Sequence, residues 1–238
     1  MDIGAVHNSS VVDFQRVADD VHVLRYPVLD VNCVLVLGRD RALLVDTLST
    51  AGQARELAAA VRRLTSSPVV VVNTHDHFDH WFGNHTIAEQ LGAVDFWAHE
   101  SAIAVDADHA ESRAAARRAC VKLAPEIADE VGDLELLTPN RPVTDEATID
   151  LGGRSVRLWH PGRAHSHGDL IAFAGSVTIA GDLVEEGAPP SVGSDADAAH
   201  WSRVLERLAP MIEGPVIPGH GAIVDAAFVT RQAQQLAD

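Results

Sequence analysis

The sequence predicts an α/β fold in which two packed sheets are covered by helices on both outer faces. Apolar strand-like segments fall into two groups along the 238-residue chain, and segments with helical spacing flank each group. Because a sheet buries an apolar face against another layer, two sheets with helices outside them form a four-layer arrangement. Hydrophobic residues make up 47% of the chain, enough for a substantial core, and we expect one domain over residues 1–238.

The first group of elements lies in the N-terminal half. Its predicted strands are Val21–Arg25, Cys33–Leu37, Ala42–Val45, Val69–Asn73 and Val94–Ala98. Thr50 and Gln53 offer a capping box, and the apolar residues after them recur on one face, which predicts a helix to about Leu64. The stretch Glu100–Leu123 is rich in Ala, Arg and Glu, which predicts one or two helices over the site or the sheet.

The second group repeats this organisation in the C-terminal half. Its predicted strands are Ala147–Asp150, Ser155–Trp159, Leu170–Ala174, Val177–Ala180 and Val216–Ile217. Apolar residues at helical spacing from Trp201 to Leu208 predict one helix, and Ala222–Leu236 is predicted to form a closing helix.

Charge and cysteine usage restrict the function. A formal net charge of −16 argues against binding to nucleic acid or to an anionic membrane, whose phosphates attract clustered Lys and Arg. The segment Met1–His7 lacks the basic start and apolar core of a signal peptide, and no later run is long enough to span a bilayer, so a cytoplasmic protein is expected. Cys33 and Cys120 lie away from every metal-binding motif and are expected to be buried, reduced thiols. Nothing in the sequence indicates an oligomeric state.

A histidine-rich segment from His75 to His80 follows directly after the predicted strand Val69–Asn73, so a rigid sheet can aim its side chains. His75 and His77 can converge on one metal ion, and the two residues after the turn can serve a second ion nearby. The two after the turn are Asp79 and His80. In isolation, such a segment could also be a solvated loop.

Three later segments favour a metal centre. His165 lies between two apolar stretches, Asp182 follows Gly181 at the end of an apolar run, and His220 follows Pro218 and Gly219 after another such run. Each presents a ligand-type side chain beside glycine or proline at the end of a predicted strand. All of them can therefore gather at one edge of a sheet.

With these motifs in this order, the chain resembles the metallo-β-lactamase-fold hydrolase superfamily over nearly its whole length. The resemblance implies an αβ/βα four-layer sandwich with two mixed sheets and helices on both outer faces. It also implies two zinc ions per chain, although ligands without thiolate also suit Mn²⁺ or Fe. The implied ligands are His75, His77 and His165 for one ion, Asp79, His80 and His220 for the other, and Asp182 bridging both.

The chemistry that this centre implies is hydrolysis by a hydroxide held between the metals, which attacks an acyl carbonyl. The implied catalytic residues are Asp79, which would orient the hydroxide, and His220, which with Asp79 holds the metal that stabilises the leaving amine, alkoxide or thiolate. The expected partner is a small-molecule acyl substrate, namely an ester, lactone, thioester or amide.

Departures from particular subfamilies narrow this activity. In one class of β-lactamases a cysteine replaces Asp182, and a lysine that binds the carboxylate of the drug stands where this chain has Glu185, which would repel it. Glyoxalase II-like thioesterases, which share the ligand set, have a basic C-terminal extension, whereas this chain stops soon after His220. Homoserine lactonases have a late tyrosine, whereas Tyr26 is the only tyrosine here. The run from His165 to Asp169 resembles most the family members beside the quinoprotein-associated and sulfur-oxidation-associated hydrolases. The alternatives are β-lactamase-like activity, a mononuclear iron persulfide dioxygenase-like activity and a non-catalytic metal-binding module.

Residues near the ligand motifs have weaker predictions. Asp46 is either an acceptor for the second nitrogen of a ligand histidine or a cap on a strand-to-helix turn, and Asp169 has the same two interpretations. Arg163 is either a contact for a substrate carboxylate or a solvated side chain. Substrate contacts are expected in the loops Tyr26–Val31 and Val184–Ala198.

Overall fold

A computed structural model describes residues 12–103 and 109–237 of the chain. Within these ranges the strands are β1 (Gln15–Ala18), β2 (Val21–Tyr26), β3 (Val31–Leu37), β4 (Ala42–Val45), β5 (Val69–Val72), β6 (Phe96–His99), β7 (Arg141–Val143), β8 (Glu146–Asp150), β9 (Ser155–Trp159), β10 (Ile171–Ala174), β11 (Val177–Glu185) and β12 (Val216–His220). The helices are α1 (Ala51–Leu64), α2 (Phe78–Trp81), α3 (Asn84–Leu91), α4 (Glu100–Ile103), α5 (Ala110–Leu123), α6 (Ala128–Asp133), α7 (Ala198–Leu208) and α8 (Ala226–Ala237). Short 3₁₀ turns cover Pro125–Ile127 and Ala209–Met211.

The strands form two mixed sheets that are joined at one corner. The first sheet has the order β1 to β7, antiparallel as far as β4 and parallel from β4 to β7. The second has the order β8 to β12, with a parallel pair only between β11 and β12. The corner is an antiparallel pairing of His220 in β12 with Val31 in β3. This confirms the predicted α/β class with two mixed sheets.

Three apolar layers hold the sandwich together. The central layer lies between the sheets, where residues such as Val34 and Leu43 face Leu158 and Ile179. A second layer packs α1 and α3 on the outside of the first sheet, and a third packs α7 and α8 on the second sheet. Central strands such as β3 contribute alternate side chains to two layers, so apolar burial fixes their register.

The helix starts are explained by local capping. The hydroxyl of Thr50 accepts a hydrogen bond from the backbone N of Gln53 at 3.2 Å, as predicted for the start of α1. The closing helix begins at Ala226 and not at Ala222, because the carboxylate of Asp225 accepts from the backbone N of Phe228 at 2.9 Å and caps it there.

Some elements differ from the sequence-based expectation. Strands β1 and β7 and helices α2 and α6 were not predicted. Strand β11 continues past Ala180 to Glu185, because Gly181, at φ +53°, bends the strand without ending it.

Other expectations are met, or fall outside the described residues. The predicted helical stretch Glu100–Leu123 contains α4 and α5, and residues 104–108 between them lie outside the described ranges, as does the segment Met1–His7. Cys33 and Cys120 are buried and are not joined in a disulfide. Among the described helices, none is long and apolar enough to cross a membrane.

Candidate metal centre

The structure brings together all seven predicted ligand residues at the corner where the two sheets join. Their side chains form two adjacent groups. Within each group every residue offers one nitrogen or carboxylate oxygen atom, and these atoms all lie within 4.8 Å of one another. The first group is His75, His77, His165 and Asp182, and the second is Asp79, His80 and His220.

Asp182 lies between the two groups. Its Oδ2 is 3.2 Å from Nε2 of His220 and 3.5 Å from Nε2 of His165, and its Oδ1 is 3.2 Å from Nε2 of His80. One carboxylate therefore faces imidazoles from both groups, which is the placement that a bridging ligand needs.

Close backbone packing places Asp182. An ideal Cβ built on Gly219 would lie 1.8 Å from Oδ1 of Asp182, so the carboxylate occupies the space that a side chain at position 219 would fill. The loop that carries His165 is attached to the end of β5, because the backbone N of Leu170 donates to the carbonyl of Thr74 at 2.7 Å. Tight contacts between the strand ends thus bring separate motifs together.

The imidazoles present one nitrogen to the cluster and direct the other towards a supporting group. Nδ1 of His80 lies 2.8 Å from Oδ2 of Asp46, and Nε2 of His77 lies 2.9 Å from Oδ2 of Asp195. Nδ1 of His220 lies 2.7 Å from the carbonyl oxygen of Leu29. An acceptor on the second nitrogen fixes the tautomer that leaves the first nitrogen free to ligate.

The two remaining imidazoles have weaker support. Nδ1 of His75 lies 3.1 Å from the hydroxyl of Thr74, and Nδ1 of His165 lies 3.6 Å from Oε1 of Glu185. The ring of His165 is also held by an edge-on contact with Trp201, with ring centroids 5.2 Å apart.

The electrostatics favour positive charge at His77 and His220. Burial opposes protonation of His220, but the nearby Asp182 carboxylate raises the pKa of His220 to about 10. Burial likewise opposes protonation of His77, but its hydrogen bond to Asp195 raises the pKa of His77 to about 9. Burial raises the pKa of Asp182, yet His220, His80 and His75 together hold it well below its usual range. These carboxylates therefore stabilise cations in a buried place.

The donor set fits a metal ion such as zinc. Nε2 of His75 and Oδ1 of Asp182 are buried and have no hydrogen-bond partner among the described residues, although both face the cluster. Buried polar atoms are normally paired, so atoms left unpaired at one point indicate a missing ligand. Imidazole nitrogen and carboxylate oxygen without thiolate suit Zn²⁺, and also Mn²⁺ or iron.

The cluster is accessible to solvent at His77 and His220. The side chains of His77 and His220 are 33% and 22% exposed, whereas those of His75, His80 and His165 are at most 1% exposed. A substrate can therefore approach between His77 and His220.

The structure shows which groups the neighbouring polar residues contact. Asp46 is the predicted acceptor for a ligand histidine. Asp169 instead accepts from the backbone N and hydroxyl of Ser166 and so shapes the loop that follows His165. Arg163 donates to the carbonyl of Asp195 at 2.7 Å and so holds the loop that contains Asp195 in place.

The expectation for Glu185 needs correction. It was expected to face an incoming carboxylate, but it is only 6% exposed and its Oε2 accepts from the backbone N of Ser191 at 3.0 Å. The reason is that β11 continues to Glu185, so the side chain of Glu185 is buried beneath the loop that follows the strand.

Sequence inspection missed several supporting residues. Thr74 and Asp195 belong to no motif. Asp195 lies in the loop Val184–Ala198, which was predicted to contact substrate, but the sequence did not single it out. The amide of Asn32 donates to the carbonyls of Pro218 and Gly221 at 3.0 and 2.9 Å and so fixes the turn that carries His220.

Comparison with known proteins identifies the family. The family model of the metallo-beta-lactamase superfamily matches residues 26–220, so the chain belongs to this superfamily. Among solved structures, it is similar to a metallo-beta-lactamase from Pontibacter korlensis, with 20% identity and a TM-score of 0.73 over 95% of this chain and 99% of the other.

Two further structures share the fold. The metallo-beta-lactamase FIM-1 from Pseudomonas aeruginosa in its mono-zinc form has 18% identity and a TM-score of 0.69 over 96% of this chain and 97% of the other. A metallo-beta-lactamase from Erythrobacter litoralis with beta mercaptoethanol in the active site has 21% identity and a TM-score of 0.65 over 95% and 96%. At these identities the similarity establishes the fold.

Proposed function

We propose that the protein is a metal-dependent hydrolase that uses two ions, with zinc as the expected metal, to hydrolyse a small ester, lactone, thioester or amide. The observation that carries this proposal is the position of Asp182 between two adjacent groups of ligand atoms. The chain's membership in the metallo-beta-lactamase superfamily supports it.

The geometry supports the following ligand roles. His75, His77 and His165 would hold one ion, and Asp182 would contact both. The other ion would be held by Asp79, His80 and His220. When bound, zinc supplies an ionised water, because it lowers the pKa of a bound water from about 15.7 to about 7.

The chain itself orients the reacting water. Oδ2 of Asp79 lies 3.4 Å from Nε2 of His220, and its side chain is 11% exposed. Asp79 would therefore accept a hydrogen bond from the attacking water on the side where the substrate enters. The contact between Nδ1 of His220 and the carbonyl of Leu29 holds the imidazole ring in place. The ring therefore does not block the open side of the site.

The surroundings of the opening favour a substrate with an uncharged apolar part. Phe78 lies between His77 and Asp79 in the sequence, and Leu29 lies beside His220. Both side chains are partly buried against one apolar cluster, which includes Trp81 and Cys120. Arg163 donates to the backbone carbonyls of Asp195 and Ala196. We therefore expect neutral esters and lactones to be better substrates than acids.

Metal analysis and a substrate panel test this proposal. The zinc-loaded protein should contain about two equivalents of zinc per chain and should hydrolyse aryl esters or lactones faster than lactoylglutathione or nitrocefin. His165→Ala should abolish this turnover, whereas the matched change at the exposed His167 should not.

The other outcomes of the same experiment identify the alternatives. Fastest turnover of nitrocefin would favour a β-lactamase. One iron per chain with oxygen consumption in the presence of a thiol or persulfide would favour an oxygenase. Two bound zinc ions without turnover of any acyl substrate would favour a metal-binding module.

A further inference from the structure

The second nitrogen of His165 faces an acidic side chain to which no role has so far been assigned. Nδ1 of His165 lies 3.6 Å from Oε1 of Glu185. Among the described residues, neither atom has a hydrogen-bond partner, although both are buried. Four of the five imidazoles in the cluster already have a hydrogen-bonding group on their second nitrogen, so His165 is the exception.

The orientation of the His165 ring leaves little choice of tautomer. Its Nε2 points into the cluster, 2.9 Å from Nδ1 of His77 and 3.5 Å from Oδ2 of Asp182. If Nε2 binds a metal ion, the proton of the neutral ring must be on Nδ1. That N–H is buried and needs an acceptor, and the carboxylate of Glu185 lies on that side.

Packing keeps both partners in place. Trp201 contacts the His165 ring edge-on and is itself fixed, because its Nε1 donates to the carbonyl of Leu183 at 2.9 Å. This contact restricts rotation of the His165 ring. The other oxygen of Glu185 accepts from the backbone N of Ser191 at 3.0 Å. The carboxylate is thus held between the ligand ring on one side and the loop over the site on the other.

We propose that Glu185 is a positioning residue that accepts the Nδ1–H of His165, fixes its metal-binding tautomer and ties the ring to the loop of residues 186–197. The same loop carries Asp195, which contacts the second nitrogen of His77. One continuous segment from Glu185 to Asp195 therefore supports two of the three imidazoles of the first ligand group. This inference rests on the proposed metal centre, but it concerns the tautomer of a histidine and not the substrate.

The test uses two variants of Glu185 and one control. Glu185→Ala removes the acceptor, and Glu185→Gln keeps its shape and one acceptor oxygen. Glu206→Gln removes one negative charge from the exposed face of α7 and serves as the control. Zinc affinity is measured on each protein by competition with a chromophoric chelator, and the tautomer of His165 is measured in the metal-free protein by the ¹⁵N chemical shifts of its ring.

In the wild type we expect the ring of His165 to carry its proton on Nδ1. Glu185→Ala should lower the affinity for one of the zinc ions about 10- to 100-fold and shift His165 towards a mixture of tautomers. Glu185→Gln should recover part of the affinity, and Glu206→Gln should match the wild type. Unchanged zinc affinity and unchanged ¹⁵N shifts in both Glu185 variants would overturn the proposal.

The ¹⁵N readout separates this proposal from the proposed function. If the protein binds zinc but hydrolyses no acyl substrate, the hydrolase assignment fails while the shift of the tautomer in Glu185→Ala still supports the role of Glu185. If turnover is found and the His165 tautomer does not respond to Glu185, only the positioning role fails.

Discussion

Oδ2 of Asp46 lies 2.8 Å from Nδ1 of His80, and the same oxygen accepts the hydroxyl of Thr74 at 2.8 Å. The hydroxyl of Thr74 lies in turn 3.1 Å from Nδ1 of His75. Asp46 therefore supports one imidazole of the second ligand group directly and one of the first group through a single hydroxyl. A short chain of hydrogen bonds links the two groups from behind.

Asp46→Asn should weaken zinc binding because it should move the proton of the His80 ring from Nδ1 to Nε2. An amide NH₂ directed at Nδ1 favours the tautomer with the proton on Nε2, the nitrogen that faces the cluster. Asparagine tolerates the left-handed backbone that Asp46 adopts at φ +64°, so the fold should be retained. We expect a loss of about 10- to 100-fold in affinity, measured by chelator competition. Asp129→Asn, at a side chain that is 89% exposed, should have no effect; equal affinities in the two variants would contradict this role for Asp46.

Asp182→Ala should remove the contact that the two ligand groups share. The carboxylate lies 3.2 Å from imidazole nitrogens of both His80 and His220, so its loss should lower zinc content from about two equivalents to about one and reduce turnover by at least about 100-fold. Zinc is counted by elemental analysis after dialysis. The control is His167→Ala, at an exposed residue two positions from His165, which should retain both ions. Full zinc content and full rate in Asp182→Ala would show that Asp182 is not the bridge.

Gly219→Ala should have a similar effect without removing any ligand. A Cβ at this position would lie 1.8 Å from Oδ1 of Asp182, well inside van der Waals contact, so the carboxylate has to move. We expect zinc content to fall and the melting temperature to decrease. The matched control is Gly52→Ala, where the nearest atom to the new Cβ is 3.7 Å away and alanine favours the helix. A Gly219→Ala protein with two zinc ions would show that the strand ends can rearrange.

The layers of this fold could be predicted from sequence because apolar burial repeats along each element. Strands such as Val69–Val72 are buried on both faces and form continuous apolar runs. Strand β7 was missed because it is only three residues long, at the edge of its sheet, and two of its residues are exposed. The predicted end of β11 was wrong because glycine weakens a strand and was expected to end this one. Gly181 instead bends the strand around the side chain of Thr74.

The seven candidate ligand residues could be selected from sequence because each lies in a motif with recognisable spacing, and the structure brings all of them together. Their supporting residues could not be predicted, because an acceptor for a ligand histidine is defined by position in space and not by sequence. Asp195 is 118 residues from His77 along the chain, and its hydrogen bond exists only because the loop after β11 folds over the site. Asp46 was the exception, since it directly follows a predicted strand.

Replacing Trp201 should destabilise the protein at the layer between the second sheet and its helices. Trp201 is fully buried, and its Nε1 donates to the carbonyl of Leu183 at 2.9 Å. Trp201→Ala should lower the free energy of unfolding by about 3–5 kcal/mol, as for other large residues truncated in a core. Urea denaturation in the presence of a chelator measures this without a contribution from metal. Val121→Ala, at a residue that is 61% exposed, should change the free energy by less than about 0.5 kcal/mol.

Removing metal should destabilise the whole protein, because the cluster leaves buried donor atoms such as Nε2 of His75 without a partner. A ligand that binds only the folded state adds about 4 kcal/mol per site at a free concentration about 1,000 times its dissociation constant. At about 2–4 °C per kcal/mol for a chain of this size, one zinc ion should raise the melting temperature by about 8–16 °C. Mg²⁺ should give a much smaller shift, because it prefers oxygen ligands and retains its water. The measurement is a thermal melt of chelator-treated protein with each cation added back, and equal melting temperatures with and without zinc would contradict a metal centre at this corner of the fold.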